Sequence, residues 1–429
     1  MSSSMTDALP AVLDVAVIGA GAAGIAAARR LRGETLSVAV FEARPRVGGR
    51  ALTVPYESHG LDMGCGWLHS ADENVLATMV SDLGFTVDKT PPPWESQSFN
   101  LEVTPAEQAE FGRAFDAFEE RVAQAAARGE DGPASDLFDP ACRWNGRMDA
   151  ISGALNGARF AQVSIIDYDA YRDTGINWRV AEGYGRFIAG LAHHELAGVA
   201  VHLDCPVARI DRSRPLLRLE TARGTVEARA VIVTVPTAIL TSGALRIDPA
   251  PEVWLEAASG VPLGLASKVH MAVEGWEDFP KDGLLWGQSD TADTGGYHLR
   301  PFGRPMIEGY YGGDLAWGLE AEGEAAFFAF AEDELVSLLG SDMRKRLAPV
   351  ATSLWGQDPW SMGAYSHALP GHGHDRSILR TSLEDRLFLA GEATAPDFYG
   401  TAHGAWMEGE RAAEAALTAL GHALPVREA

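Results

Sequence analysis

The sequence predicts a mixed α/β fold in which a nucleotide-binding domain built on a parallel sheet is interrupted by a second domain with its own mixed sheet and helices. Three observations lead there. Near the N-terminus a short apolar strand runs into a glycine-rich turn and an alanine-rich helix. A second strand with an acidic end comes immediately after, and strand and helix patterns alternate again near the C-terminus after a mixed middle. At 429 residues, with about 150 per domain as a guide, the chain has room for two large domains or three smaller ones.

The elements are read in chain order. Asp14–Ile18 is a buried-type strand, Gly19-Ala-Gly21-Ala-Ala23-Gly24 the turn, Ile25–Leu31 the helix, and Ser37–Glu42 the second strand. This is a complete βαβ unit of Rossmann-like type. Gly19 permits the tight turn, Gly21 leaves no Cβ to block a pyrophosphate, and Gly24 lets helix and strand pack closely, with Ala23 at the helix N-terminus facing the phosphates. Glu42 stands 18 residues past Gly24, where a carboxylate can accept hydrogen bonds from ribose hydroxyls and repel a 2′-phosphate. Thr104-Pro-Ala-Glu107 combines an N-cap hydroxyl, a first-turn proline and a capping-box acid, so a helix is expected from there to Arg128. Strands are expected at 199–203, 207–210, 216–220 and 228–235, with a turn at Arg223-Gly224. One helical stretch at 322–340, a strand at 386–390 and a closing helix near Gly404 complete the reading. Residues 1–90, 195–255 and 380–429 are assigned to the nucleotide-binding domain, and 91–194 and 256–379 to the second.

Composition narrows the function. Thirty-five Lys plus Arg against 59 Asp plus Glu leave a net charge of −24, which argues against nucleic acid and favours neutral or cationic partners. Cys65, Cys142 and Cys205 have no paired spacing, so a disulfide framework and a zinc knuckle are both unexpected and a reducing compartment fits. The first apolar stretch, Val15–Ala28, is too short and too rich in Gly and Ala to span a bilayer. A cytoplasmic protein without membrane contact is expected. His372-Gly-His374-Asp375 reads as a polar surface loop and His193-His194 point apart on a helix, so no metal is expected.

The residues after Glu42 select the dinucleotide. Ala43-Arg44-Pro-Arg-Val-Gly-Gly49-Arg50 resembles the second fingerprint of the FAD-containing amine oxidase family. The resemblance continues, in family order, through Asp62-Met-Gly64-Cys-Gly66-Trp67-Leu-His69, Ala230–Pro236, Gly264–Lys268, Trp355–Tyr365, Gly391-Glu392-Ala-Thr394 and Thr401-Ala402-His-Gly-Ala405. Trp67-Leu-His69 and Tyr399–Ala405 are most similar to polyamine oxidases and the histone lysine demethylase branch. The resemblance implies FAD as cofactor, contacted by Gly19, Gly21, Ala23 and Gly24, by Glu42, Ala43, Arg44, Gly49 and Arg50, by Gly64, Gly66 and Trp67, by Val207 near adenine, by Trp355 and Trp360 beside the flavin, and by Gly391, Glu392, Thr401 and Ala402. Monoamine oxidases attach FAD through a cysteine immediately before the family tyrosine. Here that residue is Ala364, which implies a non-covalent flavin.

The implied activity is oxidation of a primary or secondary amine. A hydride equivalent passes from the carbon beside nitrogen to flavin N5, the imine hydrolyses to an aldehyde, and oxygen becomes hydrogen peroxide. By the same resemblance Lys268 matches the family lysine that reaches N5 through water, and its place inside an apolar alternating run makes a merely decorative role costly. Tyr365 supplies an aromatic wall. Thr401 replaces a second aromatic residue and widens the slot for a longer amine such as a polyamine. His69 is a candidate amine-binding group, and Asp167 and Asp169 are candidates to hold a distal ammonium. A monoamine or cyclic-amine oxidase with a smaller pocket, a related desaturase or dehydrogenase, and a non-catalytic flavin-binding scaffold remain alternatives. A homodimer is left open.

Overall fold

A computed structural model describes residues 8–94, 96–101 and 103–422. The mixed α/β class expected from the sequence is the one observed, built around one eight-stranded and one five-stranded sheet.

The larger sheet begins where the N-terminal apolar run predicts. Val12–Ile18 pairs in parallel with Val38–Phe41 on one side and with Gly224–Val233 on the other; Ala200–His202 extends the first edge. The run of β-branched and small residues is buried on both faces, as a central parallel strand requires. Gly224–Val233 does two jobs. Its first half pairs antiparallel with Leu217–Thr221, and its last three residues pair in parallel with Leu387–Leu389 from the far end of the chain. The parallel strands therefore end together. Gly19 donates its N–H to Phe41 O at 2.8 Å, Thr234 N–H to Ile18 O at 2.9 Å, and Ala390 N–H to Val233 O at 3.0 Å. Such a row of carboxyl ends is where α/β sheets bind ligands.

Two helices cover this face. Ala22–Leu31 and Ala402–Ala419 cross so closely that a Cβ on Gly409 would fall 2.1 Å from the Ala23 carbonyl oxygen. Gly24 is equally constrained, with a Cβ there 1.9 Å from Gly19 O. The pair is tied at its rim by Arg29 to Glu410 at 3.0 Å.

The five-stranded sheet is antiparallel: Ala266–Val273 lies between Met306–Gly312 and Leu347–Thr352, and the Gly283–Trp286/Gly296–Leu299 hairpin extends it. Pro105–Ala127 starts at the anticipated capping box, with Thr104 and Glu107 exchanging hydrogen bonds. The helix expected at 322–340 is observed as Glu324–Leu339, and a further helix that the sequence reading does not include, Gly313–Glu322, precedes it. Gly323, at φ +100, separates the two, because a left-handed residue cannot continue a right-handed helix. The first strand starts at Val12, two residues before the Asp14 expected from the sequence. No helix among the described residues is long and apolar enough to cross a membrane.

Gly409→Ala and Gly24→Ala force a side chain into backbone and should each cost about 1–3 kcal/mol. Gly33→Ala, with nothing within 4 Å of its Cβ, should not. Thermal melts of the three variants check the difference.

Candidate active site

At the strand ends the two fingerprints face each other. Gly19 turns at φ +102, and a Cβ on Gly49 would lie 3.3 Å from the Gly21 Cα, so the two glycine segments come together with no side chains between them. The helix starting at Ala22 has no side-chain cap, leaving its first N–H groups for an anion. Glu42 is buried and accepts from the N–H groups of Ala20 at 2.7 Å and Arg44 at 2.8 Å. A carboxylate has capacity for further donors such as ribose hydroxyls. Cys205 N–H meets Glu42 O at 2.8 Å, which brings Val207 and its strand alongside, while Ala43 links Glu42 to Arg44. Arg44 reaches across to Asp358 at 2.6 Å and Ser361 at 2.7 Å, tethering the loop that carries Trp360.

Glu392 is the junction. Its carboxylate is buried and meets Arg50 Nη1 at 3.0 Å, Ser366 Oγ at 2.6 Å and Gly400 N–H at 2.9 Å. Burial opposes its charge, but Arg50 and Arg376 outweigh that and hold its pKa below the usual range. Gly391, at φ +144, aims it inward. Beside it lies a small cavity of ≈ 20 Å³ lined by Arg50, Thr234, Pro236, Gly391 and Glu392.

Lys268 sits in Ala266–Val273, fixed by its N–H to Ser353 Oγ at 2.8 Å and by Ser353 N–H to its carbonyl at 3.0 Å. Its ammonium is buried, 3.2 Å from Glu308 Oε1 and 5.2 Å from the Tyr310 ring centroid, and a Cβ on Gly66 would stand 2.7 Å from Nζ. Burial opposes both charges, and proximity overrides it: the Glu308 carboxyl is pushed down to about 2 and the lysine is held above its usual range. Gly64 is pressed between Arg50 O and the Trp355 ring, whose Nε1 donates to Met63 O at 2.8 Å. Tyr365 pairs with Gly264, four residues before Lys268, and its hydroxyl donates to Ala154 O. Thr401 caps the helix beginning at Ala402, accepting from Gly404 N–H at 3.0 Å. A Cβ on the preceding Gly400 would lie 3.6 Å from the Tyr365 Cβ, so Tyr365 and Thr401 are neighbours.

His69 meets Asn177 Oδ1 through Nδ1 at 2.8 Å, and its ring stacks on Trp94. With an amide oxygen accepting at Nδ1, the proton resides there and Nε2 is the acceptor. Burial lowers its pKa, so the ring is neutral at pH 7. Trp67 packs edge-on against Trp94 at 4.8 Å, with Arg179 over its face at 5.0 Å.

Asp167 corrects an expectation. It is 1% exposed and engaged by Arg376 through two hydrogen bonds of 2.6 and 2.9 Å, with Ala368 N–H at 2.7 Å, so it has no free face for an ammonium. Asp169, two residues on, is exposed on the same short helix. The histidine loop hides a structural role: His372 bonds Asp375 at 2.7 Å at the start of the turn that delivers Arg376. Among the described residues no group of three or more His, Cys, Asp and Glu side chains could hold a metal ion. Sequence reasoning missed Glu308, Asp62, His298 and Arg304 around Lys268. An acid inside the apolar run Met306-Ile-Glu-Gly-Tyr was the available signal.

The family of flavin containing amine oxidoreductases matches residues 22–102 and 100–417. The chain belongs to this family. As a flavin amine oxidase it is similar to curated relatives that include "Polyamine oxidase 4" of Oryza sativa subsp. japonica, 28% identical over 93% of this chain and 88% of that protein. "Polyamine oxidase 2" of Arabidopsis thaliana is also 28% identical, over 93% and 87%. A solved putrescine oxidase with bound putrescine superposes with a TM-score of 0.77 at 22% identity, covering 95% of this chain and 99% of the other. A cyclohexylamine oxidase from Brevibacterium oxydans gives 0.76 at 20% identity, over 96% and 100%; both show the shared fold. The family implies FAD, and this chain fits it: side-chain-free approach at Gly21 and Gly49, an uncapped helix N-terminus, and an acid at the end of the second strand.

Glu392→Gln removes a buried charge from between two arginines, and breaking such pairs costs about 3–5 kcal/mol. Because the folded pKa of Glu392 is lowered, its contribution is present above the ordinary glutamate value and lost as pH falls below it. The parent should lose stability on acidification, and the variant's curve should be flatter there, as measured by denaturant unfolding against pH.

Proposed function

We propose that the enzyme binds FAD non-covalently and oxidises a polyamine or related secondary amine to an imine, which hydrolyses to an aldehyde while oxygen becomes hydrogen peroxide. The observation that carries this reading is the buried Lys268 ammonium against the Gly66 backbone, beside the strand pairing that brings in Tyr365. The polyamine oxidase names of the curated relatives support the substrate class. When bound, the flavin supplies a two-electron acceptor for the hydride on the carbon next to nitrogen.

On this reading the chain's own groups divide the work. Gly19, Gly21, Ala23 and Gly24 would cradle the pyrophosphate, Glu42, Ala43 and Arg44 would hold the ribose, and Val207 would meet adenine. Gly49, Arg50, Gly391 and Glu392 would form the inner wall, and Gly64, Gly66, Trp67, Trp355, Trp360, Thr401 and Ala402 would surround the flavin. Lys268 would stand beside its reactive edge. An amine gives up a hydride only when its nitrogen lone pair is free, so the site must accept it neutral. The neutral His69, with Nε2 available as acceptor, suits that task. Tyr365 and Thr401 form the slot, one ring and one hydroxyl, that admits a longer chain. The residue before Tyr365 is Ala364, and desolvation raises the pKa of the Cys65 thiol, which disfavours its thiolate; both support non-covalent attachment. Three free cysteines suit a reducing cytoplasm.

Acid precipitation should release all flavin into the supernatant; colour retained on the pellet contradicts the attachment. Anaerobic addition of spermidine or putrescine should bleach the flavin, whereas bleaching by aromatic or cyclic amines alone would point to a monoamine or cyclic-amine pocket. Lys268→Met should slow reoxidation by oxygen about 10²-fold while anaerobic reduction stays near the parent's rate. Stopped-flow absorbance separates the two steps.

A further inference from the structure

Beside Lys268 lies a polar cavity of ≈ 30 Å³, lined among others by Asp62, Lys268, His270, His298, Arg304 and Glu308. By the 10–15 Å³ that one water needs, it has room for about two. An independent observation calls for such water: His270 is 3% exposed and its Nε2 has no hydrogen-bond partner. The strand register explains the cluster. His270 pairs with Glu308 and Lys268 with Tyr310 across antiparallel strands, so all four side chains share one face.

We propose that Glu308 is a positioning residue that keeps Lys268 an ammonium during the oxygen half-reaction, and that the cavity is the water chamber serving this pair. The proposal rests on the amine oxidase reading above. In that half-reaction the two electrons and two protons removed from the amine pass to oxygen, giving hydrogen peroxide, and negative charge develops on oxygen as the electrons arrive. A fixed positive charge stabilises it, and a neutral lysine would not.

Glu308 is singled out by elimination among the groups that face Lys268. Asp62 is already occupied by Thr53 Oγ1 at 2.5 Å and by the N–H groups of Tyr184 and Gly185 at 2.9 and 3.2 Å, and burial raises its pKa. Burial also raises Tyr310, Tyr365 and Cys65 and lowers His270 and His69, so all five are uncharged at neutral pH. Arg304 and Arg179 repel the ammonium but are turned to other partners: Arg304 donates to Gly60 O and Ala181 O, and Arg179 pairs with Asp88 and Asp282, the latter also bonded by His298. Glu308 is the carboxylate in direct contact, and Tyr310 Oη donates to the same oxygen at 2.7 Å.

The test exploits composition. The chain has Lys89, Lys268, Lys281 and Lys345, and Lys268 alone of these is buried, so a carbon-13 lysine spectrum of the FAD-loaded enzyme resolves it. In the parent its resonance should stay constant through the range near 10.4 where exposed lysines titrate. In Glu308→Gln its midpoint should fall by about one unit or more, and reoxidation should become pH-dependent, slowing above that same midpoint while anaerobic reduction does not. Tyr310→Phe, which removes a hydrogen bond but no charge, should keep the parent's titration, and Glu308→Asp should lie between. A Lys268 midpoint unchanged in Glu308→Gln, or reoxidation as flat with pH as in the parent, overturns the proposal. Should Glu308→Gln fail to fold, a Glu308→Asp midpoint equal to the parent's does the same. The lysine titration requires no amine turnover, so failure of any amine to bleach the flavin would count against the functional reading and leave this measurement standing.

Discussion

The Glu392 carboxylate is the constraint on which the rest depends. It is an anion held out of water, and a lone buried charge is so costly that each surrounding segment must present a donor to it. Arg50 comes from the N-terminal fingerprint, Ser366 from the strand carrying Tyr365, and Gly400 from the turn into the last helix. Ser366 is shared in turn with Arg376, which grips Asp167. One carboxylate thereby ties together segments more than 340 residues apart in sequence, as the separation of Arg50 and Glu392 records. The second-fingerprint arginine, the tyrosine strand and the turn into the last helix are thereby held together.

Around Lys268 the same physics serves a different end. Both members of the Lys268–Glu308 pair are desolvated, and the gain from their attraction is diluted by that loss, so the pair is weak evidence for stability. What it does secure is a definite charge at a definite place. Strand pairing makes this possible, because a rigid antiparallel ladder holds the two side chains on one face without further ordering of either. The cavity beside them has room for water next to His270, whose Nε2 has no protein partner.

Local rules were readable where chemistry at neighbouring residues decides the conformation. The Thr104–Glu107 capping box and the Gly19–Gly24 turn could be read that way because an N-cap or a positive φ is settled within a few residues. The helix Gly313–Glu322 was missed because Gly313 and Gly318 lower its helical propensity. Asp167 was misread for a different reason. An acid among aromatic rings looks like a cation site until Arg376, 209 residues away, is brought against it.

By itself, the sequence determined the dinucleotide turn, the acid that ends the second strand and the family to which the chain belongs, since each is carried by residue type and short spacing. Tertiary structure alone decided which charges meet. Ion pairs such as Lys268–Glu308, Arg50–Glu392 and Arg376–Asp167 join residues far apart along the chain. Coulomb attraction and desolvation depend on distance in space and on exclusion of water, and neither is written in the order of residues.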